Sequence, residues 1–101
     1  MLAHTREAVA MSDQRRREDL RDNRMLELAL TRLVEIVGEA AGRATEAFCK
    51  KHPSIPWRQA VGMRNRLIHG YDAVDLDVLW DTVRVDFPPL IEALEKVATE
   101  P

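Results

Sequence analysis

The octapeptide Arg64-Asn65-Arg66-Leu67-Ile68-His69-Gly70-Tyr71 gathers the side chains of this chain best suited to chemistry. An imidazole titrates near neutral pH and can move protons, and a guanidinium stays charged and grips two phosphate oxygens at once. Gly70 lets the backbone turn so that Tyr71 comes alongside. An arginine and a histidine without neighbouring metal ligands point to phosphodiester chemistry. Cleaving RNA without a metal needs a base for the 2′-hydroxyl proton, an acid for the leaving 5′-oxygen, and cationic donors for the developing phosphorane charge. His69 fits the first two roles and Arg64 the third. Tyr71 can orient the phosphate or the imidazole through its hydroxyl. Asn65, at i,i+4 to His69 if both are helical, can set the imidazole tautomer. DNA, lacking the 2′-hydroxyl, should resist.

Residues five apart on an unbroken helix point ~140° away from each other, so Arg64 and His69 cannot share one face of a continuous helix. Either the helix ends near His69 or two chains combine, and both can hold. Gly70 favours an ending, and a two-fold axis against this segment would collect two arginines and two histidines in one cleft. From residue types alone a structural alternative stands beside catalysis: a His-Gly C-cap, with the histidine favourably placed against the helix dipole.

The elements that must position these residues read as helices. Leu2 to Met11 is rich in helix formers but poor in large apolar groups, which predicts a short or frayed helix. Ser12 to Asp22, with Arg15, Arg16, Arg17 and Arg21 set among Glu18, Asp19 and Asp22, reads as a solvated helix or connector rather than an RNA contact. Asn23 to Lys50 predicts a long amphipathic helix: Leu26, Leu30, Leu33, Val37, Ala41, Ala44 and Phe48 form its stripe, widened by Met25, Leu28, Ala29 and Ile36. Gly38 and Gly42 in that helix permit close approach of another. Glu39 between them is either an exposed charge, the commoner case, or a buried partner for a nearby arginine. His52-Pro53-Ser54-Ile55-Pro56 stops the helix. The next begins near Trp57, presents Trp57, Ala60, Val61, Leu67 and Ile68, and is stopped by Gly70 soon after His69. Asp75 N-caps a last helix bearing Leu76, Leu79, Trp80 and Val83, which Pro88-Pro89 should interrupt before Leu90, Ile91, Leu94 and Val97 continue it. No strand alternation is visible, so the expected fold is all-α, a bundle of four to five helices.

With 101 residues the chain makes one domain, small enough that burying surface in a partner helps, so a homo-oligomer is plausible. Its 46% hydrophobic and 32% charged residues suit a soluble helical protein rather than a disordered one. A net charge of -2 excludes nucleic-acid binding through the overall field and leaves only a local basic patch. Cys49 is the single cysteine, so no internal disulfide forms and a reducing cytoplasm is the default; it reads as a small buried residue, not a nucleophile. No membrane span or secretory signal is visible. His4, His52 and Cys49 are too scattered for a metal site, and Asp72, Asp75, Asp77 and Asp81 are explained by capping and solvation, so no metal or cofactor is expected.

Arg64 to Tyr71 matches the R-x4-H-x-Y signature of the HEPN superfamily, and the chain resembles the HepT-like toxins that pair with a minimal nucleotidyltransferase antitoxin of the MntA type. Three further segments are similar to the same family. They are Leu33 to Ala41 around its "IGEA" segment, His52 to Arg58 with Gly62-Met63-Arg64-Asn65, and Val74-Asp75-Leu76 with Trp80 and Asp86-Phe87-Pro88. The likeness spans roughly Asp19 to Val97. It implies a HEPN-type bundle over residues 1–101 that dimerises with the signature helices at the interface, making a composite, metal-independent ribonuclease site whose targets include tRNA. Carried over, Arg64 and His69 are catalytic, Asn65 and Tyr71 support and orient, and Tyr71 is the tyrosine that the nucleotidyltransferase partner adenylylates. One departure concerns residues 1–24, where a shortened first helix and an Arg-rich connector replace the family's longer apolar helix. The competing expectation is a non-catalytic HEPN module that binds a nucleotidyltransferase or a nucleotide, since fold does not decide function.

Overall fold

The computed structural model describes residues 1–69 and 73–99, except the side chains of Ile68, His69 and Ala73. Helix α3 (Arg24–Arg43) is the central rod. Its first turn is capped by Asn23, whose side chain accepts a hydrogen bond from the Leu26 amide at 3.0 Å. Leu26, Leu30, Leu33, Val34, Val37 and Ala41 recur along it at helical spacing and are buried, each large side chain contributing roughly 1.5–3 kcal/mol. Helices α1 (Leu2–Ser12) and α5 (Trp57–Leu67) both pack against it, and α7 (Phe87–Thr99) packs on α1. The Cα atoms span 44 × 30 × 17 Å, a slab less than two helix diameters thick. The result is an all-α bundle, as expected, with two short helices added.

Helix α1 is a formed helix whose fully buried face is made of small residues, with Leu2, Val9 and Met11 packed part-buried against the core beside it. Thr5, Ala8 and Ser12, one face at i, i+3 and i+7, are completely or almost completely buried. The Thr5 hydroxyl donates to the Met1 and Leu2 carbonyls at 3.0 and 2.9 Å and the Ser12 hydroxyl to the Val9 carbonyl at 2.9 Å, so both polar groups enter the core already satisfied. The Arg-rich run is exposed, as expected, but it carries one anchor that polarity concealed: Leu20 in α2 (Asp19–Asp22) is 1% exposed. Arg17 bridges to Asp77 at 3.0 Å and Asp81 at 2.6 Å, and these carboxylates, Asp77 first, hold its guanidinium pKa above the ordinary value.

Three expectations are corrected. The helix from Asn23 to Lys50 is two helices: Ala44 turns extended, and Thr45 caps α4 (Glu46–Lys51) by accepting from the Phe48 amide at 3.1 Å. Past that break the stripe leaves the core, and Phe48 is exposed; Met25 and Leu28 on the widened face are exposed too. The prolines do not interrupt the last helix either. α6 (Leu76–Asp81) runs into a π-helical turn, Thr82–Asp86, in which the Phe87 amide donates to the Thr82 carbonyl, and Pro88 and Pro89 fall in the first turn of α7, where their missing amides cost little. Finally, α5 stops at Leu67, and two short antiparallel strands follow, β1 (Ile68–His69) and β2 (Ala73–Val74).

Candidate active site at the end of helix α5

Helix α5 approaches α3 closely because Gly38 offers no side chain there. A Cβ added at Gly38 would lie 3.4 Å from both the Ala60 carbonyl oxygen and the Arg64 Cβ, and 3.7 Å from the Val61 carbonyl oxygen. Gly42, expected to do the same, meets nothing within 4 Å. On α5 the inward positions are Ala60, Met63 and Leu67, while Val61, expected on the apolar side, is exposed. Met63, outside the apolar positions expected for this helix, is fully buried, and with Ala60 and Leu67 it marks the rotation of the helix.

That rotation lays the Arg64 stem against Gly38 and leaves its guanidinium at the edge of the α3–α5 seam. Arg64 Nη1 is 3.8 Å from Glu39 Oε1, and Arg32 Nη1 is 3.5 Å from the same oxygen. Glu39 thus pairs with arginines, as the rarer expectation had it, but with its side chain 33% exposed rather than buried. Asn65 is exposed, and Arg66 Nη2 lies 3.8 Å from Asp86 Oδ2 on the π turn.

The chain then leaves the helix. The Asp75 amide donates to the Leu67 carbonyl at 2.6 Å, Ile68 pairs with Val74, and His69 pairs with Ala73. His69 is therefore two residues past the helix end, and the 140° divergence of a continuous helix does not apply to it. The same fact removes the i,i+4 relation between Asn65 and His69, so the tautomer role inferred from that spacing loses its premise. Tyr71 and Gly70 lie outside the described residues, as does the His69 side chain.

The other end of α5 is fixed by an aromatic group. The Trp57 indole donates to the His52 carbonyl at 3.0 Å, and the Phe48 ring stacks near His52 and edge-on to Trp57, with centroids at 4.6 and 5.9 Å. Beside it, Ala41, Gly42, Val61 and Gly62 line an open recess of about 510 Å³ between α3 and α5, with half-buried Cys49 at its rim. Among the described residues no three His, Cys, Asp or Glu side chains gather as metal ligands, and no helix is long and apolar enough to cross a membrane.

Arg32, absent from the expected site residues, also meets Glu39; its spacing to Glu35 and Glu39, i,i+3 and i,i+7 on one helix face, is the signal in the sequence. The family model described as "Ribonuclease HepT-like" matches residues 1–97. The chain is 42% identical over 80 residues to a Thermococcus cleftensis protein named "Probable ribonuclease HepT", covering 79% of this chain and 73% of that one. It is 40% identical over 76 residues to a Methanocaldococcus jannaschii protein named "Putative RNase MJ1380", covering 75% of this chain and 70% of that one. No solved structure matches the chain.

Proposed function

From a chain that belongs to the HepT-like ribonuclease family, and so is an endoribonuclease of the HEPN type, we propose a metal-independent toxin that cuts RNA, tRNA included, by acid–base chemistry at a site completed by a second copy. His69 removes the 2′-hydroxyl proton and an imidazolium protonates the leaving 5′-oxygen, while Arg64 neutralises the phosphorane. The observation that carries this reading is the position of Arg64. Its half-exposed guanidinium stands at the last turn of α5, five residues ahead of His69 and against a loosely held carboxylate that a phosphate can replace. Asn65 and Tyr71 orient substrate or imidazole.

A homodimer is supported by the slab shape, 17 Å in its thin direction, and by exposed Val61 beside the recess on α5. The monomer is then inactive, because one chain places one histidine, His69, at the site for two proton transfers. Inhibition by an MntA-like nucleotidyltransferase acts through Tyr71: an adenylyl group there adds bulk and negative charge next to the RNA phosphates. The chain works in the cytoplasm, where its RNA substrate is.

The test is incubation of purified protein with tRNA in EDTA, comparing wild type with His69→Ala and Arg64→Ala. Wild type cleaves, and each variant loses about 10²- to 10⁴-fold in rate. Cleavage that survives both substitutions overturns the site, and cleavage that requires added divalent metal overturns the mechanism.

A further inference from the structure

One face of α3 carries Arg32, Glu35 and Glu39, and this face lies beside Arg64 of α5. Arg32 Nη1 is 3.7 Å from Glu35 Oε2 and 3.5 Å from Glu39 Oε1, and Arg64 Nη1 is 3.8 Å from that same Glu39 oxygen. Two guanidinium groups that would repel each other are thereby kept side by side through one carboxylate. Both are open to solvent, with 59% and 50% of their side chains exposed. The pairings are loose, longer than a charge-assisted hydrogen bond of about 2.7–2.9 Å. Arg17 differs: two carboxylates grip it at 2.6 and 3.0 Å, tying the connector to α6.

Resting on the ribonuclease reading above, we propose that Arg32 is a second RNA-phosphate contact, held beside Arg64 by Glu39, so that the substrate track continues from α5 onto α3. A guanidinium binds a phosphate through two parallel hydrogen bonds, which a carboxylate beyond hydrogen-bond range does not match. Incoming RNA therefore displaces Glu39 from both arginines, with two adjacent phosphates taking its place. Glu39 acts as a positioning residue: it keeps the cations together before substrate arrives and competes with substrate afterwards.

The experiment measures binding and cleavage separately. Binding is followed by fluorescence anisotropy of a short labelled 2′-O-methyl oligonucleotide, which cannot be cut, across a salt series for wild type, Arg32→Ala, Arg32→Lys, Glu39→Gln and Arg17→Ala. Arg32→Ala should weaken binding about tenfold and lower the salt slope by about 0.7, the share of one phosphate in a single strand. Arg32→Lys should restore the slope but only part of the affinity, because charge returns without the fork. Glu39→Gln should bind several-fold more tightly, and Arg17→Ala should match wild type. With tRNA in EDTA, Arg32→Ala should raise KM and leave kcat within about threefold. An unchanged slope in Arg32→Ala, or an equal fall in Arg17→Ala, overturns the proposal even when wild type cleaves. A lowered slope in Arg32→Ala with no cleavage by wild type supports the contact and overturns the ribonuclease reading instead.

Discussion

Substitution of Gly38 separates the packing that aims Arg64 from general stability. An alanine Cβ at Gly38 would sit 3.4 Å from the Ala60 oxygen and from Arg64 Cβ, the near edge of ordinary van der Waals contact. The better helix propensity of alanine, worth up to about 1 kcal/mol, then roughly offsets the tight contact, and Gly38→Ala should change stability by less than about 0.5 kcal/mol. Gly38→Val adds two methyl groups beyond a Cβ already in contact, and overpacking of that kind costs about 1–3 kcal/mol. At roughly 4–8 °C per kcal/mol for a domain of this size, its Tm should fall by about 5–20 °C. Gly42, one turn along the same helix with nothing within 4 Å, is the control: Gly42→Ala should stabilise by about 0.5–1 kcal/mol. Relief of the Gly38→Val clash moves Arg64 outward, and a displacement of about 1 Å at a catalytic group costs on the order of 10²-fold in rate. Thermal melts and tRNA cleavage below the melting range, on all three variants and on Gly42→Val, read both effects. The reasoning is refuted if Gly38→Val melts and cuts like Gly42→Val.

Asp75→Ala removes the cap on α6, whose side chain accepts from the Val78 amide at 3.1 Å, and should cost about 1 kcal/mol in urea unfolding. Phe87→Ala empties a fully buried site behind the π turn and should cost about 3–5 kcal/mol by the same measurement. Arg17→Ala breaks two exposed ion pairs, so despite their short distances its urea midpoint should stay close to that of wild type, and any difference should shrink in high salt.

The parts of the fold legible in the sequence were those governed by apolar periodicity and caps. The buried stripe from Leu26 to Ala41 and the capping role of Asp75 stand as read. What escaped was decided by competition between local signals. Thr45 reads as an ordinary helical residue until its cap outweighs the continuing stripe. Pro88 and Pro89 read as breakers, yet the π turn upstream rearranges the carbonyls they would have clashed with and turns them into helix starters. Leu20 hides in a charged run, and Thr5 and Ser12 hide as polar residues whose hydroxyls bond to their own helix. At the site, Arg64 and Glu39 were both visible, but their meeting depends on Gly38 and on the rotation that buries Ala60, Met63 and Leu67 together, which no one-dimensional pattern contains.

Asp75 joins two helix ends with one residue. Its amide satisfies the Leu67 carbonyl at the close of α5, and its carboxylate satisfies the Val78 amide at the opening of α6. Two orphan groups that would ordinarily fray independently are therefore tied into one cooperative unit, flanking the pairing of His69 with Ala73. In native-state hydrogen exchange the Asp75 and Val78 amides should open together, with a free energy below that of global unfolding. The close of α5 and the opening of α6 then open and re-form as one piece while α3 and the core beneath them stay intact.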